Sequence, residues 1–247
     1  MLIAQLSDLH VRPREVLYQG VVDSNNALVE AIGHVLAMDR RPDLVVITGD
    51  LVDEGQVDEY GALREILARL TIPFLVIPGN HDDRENFRTA FSGHAYLPRH
   101  GPLHYCVDDH PVRIIGLDST VPGSHHGHVD DAGLEWLATT LAKDSTKPTL
   151  LMLHHPPFVS GIGFMDEYRY FNGSALGAVV SRFDNVEIVL CGLRTPVHAE
   201  TLGEHRGVRL PQHRNGDRSV ARAPRLSPPA TAGPGGACCT CGMSATG

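Results

Sequence analysis

The sequence predicts a single large α/β domain of layered architecture, and three observations carry that prediction. Short apolar, β-rich runs alternate with helical stripes over most of the 247 residues. Four polar motifs, Asp8-Leu9-His10, Gly49-Asp50-Leu51-Val52-Asp53, Gly79-Asn80-His81-Asp82 and His154-His155-Pro156-Pro157, each follow such a run. Hydrophobic content of 42% and charged content of 20% are ordinary for a globular protein with a sizeable core.

The elements read in order as follows. Leu2 to Leu6 is a short apolar strand. Leu28, Ile32, Val35 and Leu36 share one helical face. Leu44 to Ile47 is a continuous run, as a strand buried on both faces requires. Tyr60, Leu63, Leu67 and Leu70 form the next helical stripe. Phe74 to Ile77 is a third strand, closed by Pro78-Gly79, and Arg113 to Leu117 a fourth. Asp130-Asp131 opens a helix through Leu134, Leu137 and Leu141, since acidic residues suit a helix N-terminus. Leu150 to Leu153 and Val186 to Leu190 are further strands. Repeated βα alternation implies a layered sheet with helices on both faces, and ligands in such folds bind beyond the carboxyl ends of the strands. All four motifs fall at those ends.

Bulk properties narrow the partners. A net charge of −8 gives no reason to expect nucleic acid or an anionic membrane. No segment approaches the length of a membrane span, and Met1-Leu2-Ile3-Ala4-Gln5 lacks a basic, cleavable leader. The expected location is cytoplasmic. Cys106 and Cys191 read as reduced core thiols. Cys238, Cys239 and Cys241 crowd together, without the fourth ligand a metal knuckle needs.

The motifs carry the chemistry. Asp8 and His10 alternate on an extended segment whose loop turns both toward one cation. Asp50 ends its strand with two carboxylate oxygens able to bridge two metals. Asn80 offers a neutral carbonyl oxygen and His154 an imidazole nitrogen. Mixed nitrogen and oxygen ligation suits Mn, Fe, Zn or Co rather than Ca or Mg. Two such divalent ions about 3.5–4 Å apart clamp the attacking and leaving oxygens of a phosphoryl displacement, and a metal lowers the pKa of bound water to about 7. His81 is placed to contact the phosphate or protonate the leaving oxygen. Each motif alone is weak. Four in one order, each after a strand, are strong, because a purely structural reading leaves buried polar groups without partners.

The chain resembles the calcineurin-like metallophosphoesterases, and among them the bacterial class III cyclic nucleotide phosphodiesterase and glycerophosphodiesterase branch, over roughly residues 1 to 200. The likeness includes Leu17-Tyr18 with Asp23 and Asn25, the unbroken Pro78-Gly79-Asn80-His81-Asp82-Asp83, and Met165-Asp166 after the His-His-Pro-Pro motif. It implies one metal on Asp8, His10 and bridging Asp50, a second on Asp50, Asn80 and His154, His81 as the catalytic histidine, and a small phosphodiester as substrate. It also implies assembly through the region after the core, which leaves a homo-oligomer open.

One departure stands out. The family pattern after the last core strand is Gly-His-x-His, whereas Gly192 is followed by Leu193, Arg194 and Thr195. His198 lies near but off that spacing, and His198 or His205 are the available substitutes. The expected organisation is a core over 1–204 and an Arg/Pro/Ala-rich tail over 205–247, disordered or read out of frame. Arg206, Arg209, Arg214, Arg218, Arg222 and Arg225 face the single acid Asp217 there. The final strands are therefore expected to be incomplete, with a sheet edge left unpaired.

Three functions compete. The first is a dinuclear phosphodiesterase, the second a defective enzyme that keeps the fold with an incomplete site, and the third a related phosphomonoesterase or nuclease. Other residues have plainer expectations. His125, His126 and His128 read as a solvated loop, with substrate-edge contact second. His155 reads as structural. Asp53 and Asp82 are expected to orient loops or lie on the surface, and Asp118 to form a turn. Trp136 is expected to pack, His34 to be an ordinary helix residue, and Met165 and Asp166 to line a cleft or sit on a mobile loop.

Overall fold

The computed structural model describes residues 1–159 and 161–192, and the backbone of 240–242. Two four-stranded sheets form the centre. The first contains β1 (Ile3–Leu6), β2 (Leu44–Thr48), β3 (Phe74–Ile77) and β8 (Thr240–Gly242) in the order β3-β2-β1-β8. The second contains β4 (Tyr105–Val107), β5 (Arg113–Gly116), β6 (Thr149–Leu153) and β7 (Val186–Cys191) in that order. The pairs β1·β2, β2·β3, β5·β6 and β6·β7 are parallel, and β4 and β8 pair antiparallel. The helices α1 (Ser24–Leu36), α2 (Val57–Leu67), α3 (Arg84–Ala90), α4 (Asp131–Ala142), α5 (Gly163–Glu167) and α6 (Gly173–Val180) lie between the strands in sequence. Among the described residues no helix is long and apolar enough to cross a membrane.

Strand alternation sorts the side chains into three layers. Ala4, Leu6, Val45, Ile47 and Val76 face α1, α2 and α3, where they meet Leu28, Ile32, Tyr60, Leu63 and Phe87. Their neighbours in sequence, Leu44, Val46, Leu75 and Ile77, point the other way and pack on Ile114, Leu150 and Met152 of the second sheet. The far face of that sheet, Ile115, Leu151 and Leu153, is covered by Leu134, Leu137 and Leu141 of α4 and Leu176 of α6. Each sheet is thus helix-covered on one face and sheet-covered on the other. The run Leu44 to Ile47 is buried on both faces as expected, but its second cover is a sheet. An apolar run cannot tell these two covers apart.

Caps confirm the helix starts. Asp23 accepts from Asn26 N, Asp83 from Glu85 N and Asn86 N, and Asp130 from Gly133 N. Gln5, on the inter-sheet face, donates to Thr48 Oγ1 at 2.8 Å and to the Cys191 carbonyl at 2.9 Å, which ties both sheets together beside the motif-bearing strand ends. The β8 backbone covers the β1 edge with Ile3 opposite Gly242. This edge was expected to be left unpaired; the expectations for His198, His205 and the tail apart from 240–242 lie outside the described residues.

Candidate metal centre

The four motifs converge where the two sheets meet. The loops after β1 and β2 run side by side: Asp8 N donates to Gly49 O at 3.1 Å, His10 N to Asp50 O at 3.0 Å and Val11 N to Leu51 O at 3.1 Å. Asp8, His10 and Asp50 have φ of 56°, 43° and 50°. Asp8 and His10 are therefore not on an extended segment, as the sequence suggested; both lie in the left-handed region. That conformation costs roughly 1–2 kcal/mol per non-glycine residue, and such strain clusters at functional sites. It turns the side chains together: one ligating atom from each of Asp8, His10 and Asp50 lies within 4.8 Å of the others.

Asp50 is the hub. Its Oδ1 accepts from His81 N at 3.0 Å, and its Oδ2 lies 3.3 Å from His154 Nε2 and 3.9 Å from His10 Nε2. Gly79 permits this, because a Cβ there would overlap Asp50 N and Oδ1. Asn80, the next residue, is carried to the same spot, with its amide nitrogen 3.4 Å from His125 Nδ1. His154 arrives from β6 of the other sheet and is fully buried, its Nδ1 donating to Thr48 O at 2.8 Å. Gly192 closes the floor: its N donates to His154 O at 2.9 Å, and a Cβ there would sit 2.5 Å from His154 Nδ1 and from Thr48 O.

The electrostatics suit a cation. Burial alone would raise the Asp50 carboxyl, but the charges of His154, His81 and His10 hold it well below the carboxylate range. Burial opposes protonation of His154, yet Asp50 and Asp8 push it up to about 9. Asp8 is raised, chiefly by burial. Among the described residues, the buried His154 Nε2 has no well-formed hydrogen bond and faces only the Asp50 carboxylate, 3.3 Å away. A buried imidazole nitrogen facing a carboxylate without a well-formed hydrogen bond suits a metal ligand. Among the described residues, ligating atoms of Asp8, His10 and Asp50, and of His10, Asp53 and His81, lie within 4.8 Å of one another, close enough to share a cation.

His81 stands at the rim. Its Nδ1 lies 2.7 Å from Asp53 O, which fixes the Nδ1–H tautomer and, among the described residues, leaves Nε2 free. Its ring meets His10 edge-on at 4.8 Å. Asp82 proves to be an orienting residue rather than a surface one. Its carboxylate accepts from Gly79 N at 2.8 Å, Leu51 N at 3.1 Å and Tyr60 OH at 2.8 Å, and burial, with the charge of Asp50, raises it to about 7.

His155 is structural, as expected. It accepts from Ser119 Oγ at 2.8 Å and donates to His125 O at 3.1 Å, and burial, with the charge of His154, lowers it to about 3. The 125–128 segment is a loop but only partly a solvated one: Gly127 is buried and bridged to Tyr170, His126 stacks on Phe171 at 4.5 Å, and His125 reaches Asn80. Asp118 does shape a turn through Thr120 N, and it also holds Arg84 Nε at 2.7 Å and Leu103 N at 2.9 Å. Met165 is buried in α5, Trp136 stacks on His104 at 5.2 Å, and His34 is an exposed helix residue.

Sequence reasoning missed Arg12, Ser7, Thr48 and Ser119. Thr48 and Ser7 act through a carbonyl and a hydroxyl whose neighbours are distant in sequence. Nothing local marks them. Arg12, two residues after His10, could have been weighed as a cation beside the Asp8-Leu9-His10 motif.

Comparison with known proteins agrees with this geometry. The calcineurin-like phosphoesterase signature matches residues 1–192. The chain is 36% identical over 193 residues to the probable glycerophosphodiester phosphodiesterase GpdQ of Arcobacter nitrofigilis, covering 78% of this chain and 71% of that one. It is 31% identical over 216 residues to the 3',5'-cyclic adenosine monophosphate phosphodiesterase CpdA of Escherichia coli K12, covering 84% and 73%. In fold it is similar to a dimetal phosphatase from Danio rerio, with a TM-score of 0.58 at 14% identity over 77% of this chain and 80% of the other. The motif-bearing strand ends, the paired sheets and the matched span lead to one conclusion: this chain belongs to the calcineurin-like phosphoesterase family.

Proposed function

We propose that the chain hydrolyses a small phosphodiester, of the cyclic nucleotide or glycerophosphodiester class, at a two-cation centre. The observation that carries the reading is the buried Nε2 of His154 facing Asp50 Oδ2 at 3.3 Å, beside three carboxylate and imidazole residues held in left-handed backbone. Asp8, His10 and Asp50 would hold one cation, and Asp50, Asn80 and His154 the other. Mn, Fe, Zn or Co suits this donor set. Such cations supply charge neutralisation for the phosphoryl group and acidify bound water.

The chain's own residues do the rest. His81, its Nδ1–H committed to Asp53 O, presents Nε2 to the substrate; as the doubly protonated imidazolium it would give its Nε2 proton to the departing oxygen and be left as the neutral Nδ1–H tautomer. The loop carrying His125, braced by His155 and Ser119, forms one wall beside Asn80. The acidic body argues against a nuclease. The free thiols Cys106 and Cys191 suit a reducing compartment, and we place the reaction in the cytoplasm.

A second reading, a weakened or inactive relative, rests on Leu193 and Thr195 standing where the family pattern has histidines. Hydrolysis of bis-p-nitrophenyl phosphate with added Mn(II) decides between them. Turnover abolished by EDTA and by Asp50→Ala supports the enzyme. Rates equal to the Asp50→Ala background support the weakened relative.

A further inference from the structure

The strongest feature outside the predicted ligand set is Arg12. Its Nη1 lies 2.9 Å from Asp53 Oδ2, 2.9 Å from Glu54 Oε1 and 2.8 Å from Glu59 Oε1. One nitrogen of a guanidinium carries two protons, so it cannot satisfy three carboxylates at once. Glu54 is 61% exposed and can turn to water, while Asp53 and Glu59 are 16% and 1% exposed and cannot. Arg12 therefore pairs durably with Asp53 and Glu59.

Both ends of this bridge are fixed. On one side the Asn25 side chain holds Arg12 by its own backbone, accepting from Arg12 N at 3.0 Å and donating to Arg12 O at 2.9 Å. Ser24 Oγ donates to His10 O at 2.7 Å. On the other side Glu59, at the start of α2, accepts from Glu54 N at 3.0 Å and Gln56 N at 2.9 Å. Asp53 sits between. With Oδ2 on Arg12, its Oδ1 faces His10 Nδ1 at 3.7 Å and His81 Nδ1 at 3.4 Å, and its carbonyl takes His81 Nδ1 at 2.7 Å.

We infer that Arg12 is a positioning residue: by gripping Asp53 and Glu59 together it fixes the loop that orients the imidazoles of His10 and His81. It is not among the proposed cation ligands. Its effect passes through Asp53, as outer partners of metal-bound histidines act. The inference rests on the proposed centre, and the experiment separates the two.

Mn(II) affinity is measured by electron paramagnetic resonance for the wild type, Asp50→Ala, Arg12→Gln and Arg12→Lys. Ring ¹⁵N chemical shifts of the metal-free proteins report the histidine tautomers, and circular dichroism reports folding. Arg12→Gln is expected to weaken Mn(II) binding about 10–100-fold and to turn the single Nδ1–H tautomer of His81 into a mixture. Arg12→Lys should recover part of both, because an ammonium keeps the charge but lacks the planar fork. Wild-type affinity with a single His81 tautomer in Arg12→Gln overturns the inference. If Arg12→Gln does not fold, Arg12→Lys decides: unchanged affinity and tautomer overturn it, and weakened binding with wild-type dichroism upholds it. If the wild type itself takes up no Mn(II), the metal reading fails, and the tautomers alone still decide whether Arg12 orients His81.

Discussion

Replacing Gly79 by alanine tests the geometry of the centre most directly. The new Cβ overlaps Asp50 N and Oδ1. Neither can retreat easily. Asp50 N belongs to backbone already at φ 50°, and Oδ1 holds the His81 N–H at 3.0 Å. Overpacking of this kind costs about 1–3 kcal/mol. If the carboxylate rotates away instead, a hydrogen bond to a charged group worth about 1.5–3 kcal/mol is lost. Either route destabilises by at least about 1 kcal/mol. At about 2–4 °C per kcal/mol for a domain of this size, Tm should fall by about 2–12 °C. The Tm increase on adding Mn(II) should shrink as well, since Asp50 moves in both cases. Gly61 is the control: it is exposed within α2, and a Cβ there meets nothing within 4 Å. Gly61→Ala should therefore gain about 0.5–1 kcal/mol. Scanning fluorimetry of both variants, with and without Mn(II), reads the result. A Gly79→Ala protein with wild-type Tm and a full Mn(II) response would refute the packing argument.

Other predictions follow from single contacts. Asp8→Gly relieves a residue at φ 56° and a carboxyl raised by burial, so the metal-free protein should gain about 1 kcal/mol while Mn(II) binding falls; a lower Tm would contradict it. Tyr60→Phe takes the 2.8 Å donor from Asp82 Oδ1 and should cost about 1–3 kcal/mol in urea unfolding. Leu151→Ala, in the fully buried layer under α4, should cost about 2–5 kcal/mol by the same measurement. His104 accepts from Asp118 N at 3.0 Å, and burial lowers it from its ordinary 6.5. The unfolded chain then takes up that proton first as pH falls. Its stability contribution is full above pH 6.5 and is lost below it, at up to about 1.36 kcal/mol per pH unit. In His104→Gln the Tm between pH 7 and 5 should fall less steeply than in the wild type.

Much of this molecule could be read from its residues, and the parts that could not share a cause. Strands β2 and β3 stand where their apolar runs put them, and Asp130 caps α4 as its position before the Leu134–Leu137–Leu141 stripe suggests. The short α3 was missed, because of its residues only Phe87 is buried and its cap, Asp83, lies inside a motif read for chemistry. The three-residue β4 has too few residues to show a period. The candidate ligands were legible because each sits at a strand end, which is a local property. The backbone that aims them was not. Positive φ at Asp8, His10 and Asp50 is imposed by pairing between two loops some forty residues apart, as the Asp8–Gly49 bond shows. The same holds for Arg12, whose partners Asp53 and Glu59 come from a distant loop and helix.

The division of the fold into two sheets has a consequence for how the chain matures. Asp8, Asp50, Asn80 and His81 all belong to the first half, which builds β1, β2 and β3, whereas His154 belongs to the second. The nascent first half emerges with Leu44, Val46, Leu75 and Ile77 bare, and they stay bare until Ile114, Leu150 and Met152 arrive. The last candidate ligand is delivered by that same docking event, on the residue next to β6. Acquisition of a full donor set and burial of the inter-sheet layer are then one step, so a half-made chain can neither charge its centre completely nor hide its adhesive face.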